Sequence, residues 1–209
     1  MKKSKKQVKI DNSLKSKESR KNKTMYLIVG LGNPEEEYNN TRHNMGFHTI
    51  NKLAKQYEIE ITKRKFKGLY GSGIIEGEKV ILLKPQTFMN LSGESIKEII
   101  QFYKIEIEQL IVIYDDIDIE PGVIKVRKTG GPGTHNGMKS VVHELNTQNF
   151  KRIRVGIGMP KEKENLIEYV IGAIPDEDKE KLDKGTDLAK EAVIEIIKSG
   201  IDMAMNQFN

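Results

Sequence analysis

Four polar segments of the sequence contain the residue types that hydrolytic chemistry needs. Each lies at the end of an apolar, strand-like run or in the turn after it: GLGNPEEEYNNTRHNMGF at 30–47, FMNLSG at 88–93, YDDID at 114–118 and GGPGTHNGMK at 130–139. Because ligands of open α/β sheets bind beyond the carboxyl ends of the strands, these segments are expected to converge there. One histidine, one aspartate and three asparagines at such an edge suit hydrolysis by an activated water molecule.

His43 is the candidate general base, and Asp115 is its candidate partner. His43 stands at the start of a predicted helix, whose positive end favours a neutral imidazole. A neighbouring carboxylate acts in the opposite direction, since it raises the basicity of the ring and fixes its tautomer. Asp115 directly follows the apolar run LIVIY, which places it at the carboxyl end of a strand. Asp116 and Asp118 remain competing candidates.

Asn33, Asn90 and Asn136 are the candidate amides of the site. A carboxamide offers one acceptor and two donors, so it can hold a carbonyl, an ester oxygen or a water molecule without adding charge. Each also has a purely structural interpretation: Asn33 precedes a proline in a turn, and the other two could cap the helices that follow them. Their joint occurrence beside a histidine and an aspartate favours a functional interpretation.

Several other kinds of site are excluded or disfavoured by the motifs. GLGNP at 30–34 lacks the third glycine of a dinucleotide-binding fingerprint. GGPGTHNGMKS resembles a phosphate-binding loop, but Met138 separates Gly137 from Lys139, whereas in such loops the lysine directly follows the glycine. Ser72, in YGSGI, lacks the first glycine of a nucleophile elbow. The chain has no cysteine, and its four histidines do not show the spacing of a zinc site. We therefore expect no metal ion, no nucleotide-phosphate site and no serine nucleophile.

Apolar periodicity predicts alternating strands and helices. The predicted strands are Met25–Leu31, Leu69–Ile75, Lys79–Leu83, Leu110–Tyr114, Val123–Lys128 and Ile153–Ile157. The predicted helices run from Met45 to Tyr57, from Ser92 to Tyr103 and from Met138 to Leu145, and a long amphipathic helix follows Pro175. This order predicts a single-domain α/β fold, a three-layer sandwich with a mixed, mostly parallel central sheet.

Charge and composition separate a basic tail from the body of the chain. The 209 residues are 37% hydrophobic and carry a net charge of +5. Residues 1–24 hold ten lysines and arginines against two acidic residues, a net +8, which leaves −3 for residues 25–209. We expect this tail to be disordered. It is either inert, or it lies upstream of a true start at Met25, or it is an arm that binds nucleic acids nonspecifically. Without a membrane span or signal peptide, a cytoplasmic location is expected.

The motifs resemble one family. GLGNPxxxYxxTRHNxGF, KPQTFMNLSG, DDIDIEPG and HNGMKS, in this order and spacing, are similar to those of the bacterial-type peptidyl-tRNA hydrolases, and the resemblance covers residues 25–209. It implies a monomeric α/β enzyme that needs no cofactor or metal and cleaves the ester between a peptide and the 3′ ribose of tRNA. Alternatives are an RNA-binding relative without hydrolysis and a nucleoside phosphorylase-like enzyme.

The resemblance also implies roles for individual residues. His43 would activate water, Asp115 would hold His43, and Asn33 would read the peptide. Further contacts to tRNA or peptide would come from Tyr38, Phe88, Asn90 and Asn136, with Met89 packed beside them. Phosphates of the acceptor stem would meet Lys125, Arg127, Lys139 and Arg154. Thr134 stands where the family usually has glycine, so the loop before His135 is expected to follow a different local path.

Overall fold

The computed structural model describes residues 25–160 and 165–209, and the predicted tail of residues 1–24 lies outside this part. The strands within it are β1 (Met25–Gly30), β2 (Lys63–Lys65), β3 (Gly68–Ile75), β4 (Glu78–Pro85), β5 (Leu110–Asp116), β6 (Ile124–Arg127) and β7 (Lys151–Gly156). The α-helices are α1 (Met45–Gln56), α2 (Ser92–Tyr103), α3 (Asn136–Leu145), α4 (Leu166–Ile171), α5 (Asp176–Ser199) and α6 (Ile201–Phe208).

One mixed sheet runs through the molecule in the order β2-β3-β4-β1-β5-β7-β6. The four central strands, β4, β1, β5 and β7, pair in parallel. The outer strands β2, β3 and β6 pair antiparallel. Parallel strands must be covered on both faces, and the apolar runs of β1 and β5 are buried accordingly. The predicted α/β fold with a parallel centre is confirmed.

Helices cover both faces of this sheet and complete three layers. Residues of α1, α5 and α6 pack with Ile28 and Ile111 in the core on one face. Residues of α2 and α3 pack with Leu27 and Val112 in the core on the other face. Because successive residues of a strand point to opposite faces, each apolar strand contributes to both cores.

Three elements were missed by the sequence-based prediction, and one strand was placed late. Strand β2 consists of three exposed cationic residues, so it has no apolar alternation to detect. Helices α4 and α6 are short, with six and eight residues. Strand β7 begins at Lys151 rather than Ile153, because its second residue, Arg152, is a charged residue that is fully buried. No helix of the described residues combines the length and apolar character needed to cross a membrane.

Candidate active site

The candidate site lies where β1 and β5 end, at the centre of the sheet. Helix α1 packs directly on β1, since a Cβ on Gly30 would lie 2.2 Å from the Gly46 carbonyl oxygen. This close approach places the turn before α1, the 3₁₀ turn Arg42–Asn44, at the carboxyl end of β1. The neighbouring strand β5 carries Asp115 at the same edge. Two segments distant in sequence therefore meet, as predicted.

His43 and Asp115 form a hydrogen-bonded pair. The Nδ1 atom of His43 lies 3.0 Å from each carboxylate oxygen of Asp115. Asp115 is buried, with 2% of its surface exposed, whereas the His43 side chain is 12% exposed and lines a cleft. An ionised carboxylate only accepts, so Nδ1 carries the proton and donates it. The Nε2 atom of His43 is thereby left as a base.

A second histidine, His135, binds the same carboxylate. Its Nε2 lies 3.1 Å from Asp115 Oδ1, and its Nδ1 accepts the backbone N–H of Met138 at 3.2 Å. Because Nδ1 accepts, the proton of the neutral ring lies on Nε2 and is donated to Asp115. The two imidazole rings lie 4.9 Å apart between centroids. Sequence reasoning did not assign His135 to the site, although its position directly before a helix was an available signal.

The shared carboxylate sets the electrostatics of the pair. Burial lowers the pKa of His43, but the charge and hydrogen bond of Asp115 outweigh burial, so the pKa is raised from its ordinary value. Burial would raise the pKa of Asp115, yet the charges and hydrogen bonds of both histidines hold it well below its usual range. Asp115 therefore stays ionised, and its effect on the pKa of His43 exceeds the opposing effect of burial.

The three side chains also form a cluster of metal-ligand type, since their donor atoms lie within 4.8 Å of one another. Their proton positions fit hydrogen bonding better than metal binding. A metal on His135 Nε2 would move the ring proton to Nδ1, where the Met138 N–H already points. A metal on His43 Nδ1 would likewise place the proton on Nε2 and remove the base. The cluster is therefore better suited to two donors sharing one carboxylate.

Asn33 is fixed in the turn after β1 by two groups. Its Oδ1 accepts the Met89 N–H at 2.9 Å. Its backbone N–H donates to Asn44 Oδ1 at 2.8 Å, and Asn44 Nδ2 donates to the Asn33 carbonyl at 3.0 Å. Asn44 is 1% exposed and directly follows His43, so it joins the Asn33 turn to the base. It is a second residue whose role the sequence reasoning missed.

The remaining predicted residues do not all line one cleft. Asn136 is exposed at the first turn of α3 and lines the cleft with His43 and Asp115. Tyr38, Phe88 and Asn90 do not line this cleft, and Phe88 is 52% exposed. Neither predicted asparagine cap is present, because α2 begins without a side-chain cap and α3 is capped by His135.

The cleft beside His43 has a volume of about 340 Å³ and two contrasting walls. One wall is charged and includes Arg127, Arg152 and Arg154 beside Asp116 and Asp118. The other is apolar and comes partly from α4, through Leu166, Ile167 and Val170. The glycine-rich loop of residues 129–135 forms a further part of the lining. A ligand with both charged and apolar parts would fit between such walls.

The structure decides several open questions about this cleft. Asp116 forms an ion pair with Arg154 at 2.5 Å, and Asp118 is exposed, so Asp115 is the partner of His43. Lys125 donates to the Asn209 backbone oxygen at 2.8 Å, so two of the four predicted phosphate contacts, Lys125 and Arg154, already have a partner within the protein. The positive φ of the glycine-rich loop falls on Gly133 at 58°, so Thr134 avoids the left-handed region.

A mixed α/β sheet with a hydrogen-bonded histidine–aspartate pair at the ends of its parallel strands is an arrangement that can activate water, as hydrolytic enzymes do. A family model described as Peptidyl-tRNA hydrolase matches residues 27–209. The chain belongs to the peptidyl-tRNA hydrolase family, as the motifs indicated.

Relatives and solved structures of this family cover nearly the whole chain. A peptidyl-tRNA hydrolase of Caldanaerobacter subterraneus subsp. tengcongensis is 51% identical over 185 residues, which are 88% of this chain and 100% of the relative. One from Clostridium botulinum is also 51% identical, over 88% of this chain and 96% of the relative. The crystal structure of the Acinetobacter baumannii enzyme aligns with a TM-score of 0.84 and 41% identity, covering 90% of this chain and 95% of that one.

Proposed function

We propose that this enzyme hydrolyses the ester between a peptide and the 3′ ribose of tRNA, with His43 as the general base. The observation that carries the proposal is the contact of His43 Nδ1 with both oxygens of Asp115 at 3.0 Å. This contact fixes the tautomer in which Nε2 is unprotonated and the ring lines the cleft. The raised pKa of His43 makes it a stronger base than an ordinary histidine.

The reaction then needs one base and neutral hydrogen-bond donors. His43 Nε2 takes a proton from water, and the oxygen of that water adds to the ester carbonyl carbon. When the tetrahedral intermediate collapses, the bond to the ribose oxygen breaks and that oxygen receives the proton from the imidazolium. Asp115 stabilises the imidazolium in between. An alcohol leaving group needs no covalent enzyme intermediate. Because both histidines donate to Asp115 through the nitrogens that a metal would need, we propose that neither a metal nor a cofactor takes part.

Recognition of the two halves of the substrate is assigned to different groups. The Oδ1 atom of Asn33 is occupied by Met89, so its Nδ2 group is proposed to donate to the peptide backbone next to the ester. The remaining substrate contacts are proposed for Tyr38, Phe88, Asn90 and Asn136. Phosphates of the acceptor stem would meet Arg127, Arg154 and Lys139, which would make binding depend on salt and not on tRNA sequence. Residues 25–209 are proposed to act as a monomer.

Replacement of the base tests this proposal. We expect His43→Ala to abolish release of N-acetylated aminoacyl-tRNA while tRNA binding stays close to wild type. A matched control is His143→Ala, because the His143 side chain is 84% exposed on α3 and lies outside the cleft lining. Turnover would be followed as deacylation of N-acetylated aminoacyl-tRNA beside its unblocked counterpart. Turnover retained in His43→Ala would remove this residue from the mechanism.

A further inference from the structure

Arg152, the second residue of β7, is a buried cation without an acidic partner. It is 1% exposed, and no carboxylate of residues 25–160 or 165–209 lies within ion-pair distance of it. Its guanidinium instead packs 4.5 Å from the centre of the Phe150 ring and donates to two backbone carbonyls. A buried charge without a counter-charge is costly to fold. An apolar side chain would fill this place at less cost, so the arginine is expected to have a specific task.

The two carbonyls belong to the chain segments on either side of α3. Arg152 Nη1 donates to the Gly131 oxygen at 2.9 Å, in the glycine-rich loop before the helix. Its Nη2 donates to the Gln148 oxygen at 3.2 Å, in the loop after the helix. A planar guanidinium can hold two acceptors in fixed directions at once, which an ammonium group cannot. One side chain therefore ties together both ends of α3.

The start of α3 is also the part of this helix that reaches the active site. His135 caps the helix and donates to Asp115, and Asn136 begins it and lines the cleft. Tyr114 and Arg152 also line the cleft, and the Tyr114 ring meets the His135 ring edge-on at 5.1 Å. Burial raises the pKa of Tyr114, and the charge of the Arg152 guanidinium opposes that shift.

We propose that Arg152 is a positioning residue that holds His135 against Asp115 by fixing the loops on both sides of α3. This inference rests on the proposed function, because His135 matters through the carboxylate it shares with His43. The glycine-rich loop has little rigidity of its own: it contains three glycines among residues 130–133. Without the guanidinium, this loop moves, and the hydrogen bond from His135 Nε2 to Asp115 is formed only part of the time.

The first test replaces Arg152 and measures both the kinetic constants and the thermal midpoint of unfolding. In Arg152→Met the Gly131 and Gln148 carbonyls, which belong to exposed residues, can bind water, so the thermal midpoint should stay within about 4 °C of wild type. The kcat for N-acetylated aminoacyl-tRNA should fall about 10- to 100-fold, as expected for a misplaced catalytic group, with a smaller change in KM. Arg152→Lys keeps the charge but loses the two separate nitrogens of the planar guanidinium, so its kcat should lie between those of wild type and Arg152→Met.

A matched control and a spectroscopic signal separate positioning from general stability. Arg64→Met makes the same change at an exposed residue of β2, away from the cleft, and should leave kcat unchanged. The ¹⁵N chemical shifts of the His135 ring should show one tautomer, protonated on Nε2, in wild type and an average of forms in Arg152→Met. A loss of kcat that matches only the fraction unfolded, with the tautomer unchanged, would overturn the inference.

A double variant shows whether Arg152 acts through His135. If it does, His135→Ala combined with Arg152→Met should be about as slow as the slower single variant, whereas independent effects would multiply. Independent effects, or wild-type kcat in Arg152→Met, would refute the positioning role. These outcomes differ from a failure of the proposed function. Turnover retained in His43→Ala would reject the general base itself. A wild-type kcat in Arg152→Met together with an inactive His43→Ala would reject only the role of Arg152.

Discussion

The replacement Asp115→Asn tests the electrostatic centre of the site most directly. The carboxylate accepts from His43 Nδ1 through both oxygens and from His135 Nε2 through Oδ1. An asparagine can keep one acceptor near both rings, but its NH₂ group must then replace Oδ2 and face His43 Nδ1. Two donors cannot face each other, so the His43 proton moves to Nε2. The Nε2 atom, which faces the water, is then protonated and cannot accept a proton from it.

The magnitude follows from the loss of a general base. Such a base contributes about 10²–10⁴ in rate, so kcat should fall by a factor in that range, equivalent to about 3–5 kcal/mol of transition-state stabilisation. The pH dependence should change as well. His43 must be neutral to accept a proton, and its pKa in wild type is raised, so activity rises with pH through a value above about 6.5. Without the carboxylate, burial alone acts and lowers the pKa, so this limb moves to lower pH.

Single-turnover deacylation of N-acetylated aminoacyl-tRNA between pH 5 and pH 9 would measure both effects. Asp176→Asn is the matched control, because the Asp176 side chain is 95% exposed at the start of α5 and lies outside the cleft lining. The depressed pKa of Asp115 also means that its ionised form stabilises the fold above about pH 4 and that this contribution is lost as the pH falls below that value. A kcat within threefold of wild type, or an unshifted acid limb, would refute the reasoning.

Three further predictions concern the peptide, the RNA and metals. Asn33→Ala should reduce the preference for N-blocked over free aminoacyl-tRNA by about 1–3 kcal/mol, measured as the ratio of the two kcat/KM values, and an unchanged ratio would mean that the peptide is read elsewhere. Arg154→Gln should weaken binding to all tRNAs alike and reduce the salt slope by about 1 in a titration with KCl, and an unchanged slope would place the phosphates elsewhere. Treatment with EDTA should leave kcat unchanged, and a loss restored by a divalent cation would assign a metal to the His43 cluster.

The sequence by itself determined the central strands and the segments that hold His43 and Asp115. Continuous apolar runs predict buried parallel strands, and polar residues directly after them must lie at one edge of the sheet. These are local patterns, which depend on a few neighbouring residues. The same local reasoning missed β2, because three exposed cations show no apolar alternation. It also placed β7 late, because a buried arginine resembles a surface residue in sequence.

Only the tertiary structure decided which side chains share the site. Asp115 and Asp116 are neighbours in β5, and successive residues of a strand point to opposite faces. Asp115 therefore contacts His43, whereas Asp116 contacts Arg154. His135 and Arg152 reach the site through contacts between segments far apart in the chain. Such contacts depend on register and on the direction of each side chain, and neither is encoded in the spacing of residue types.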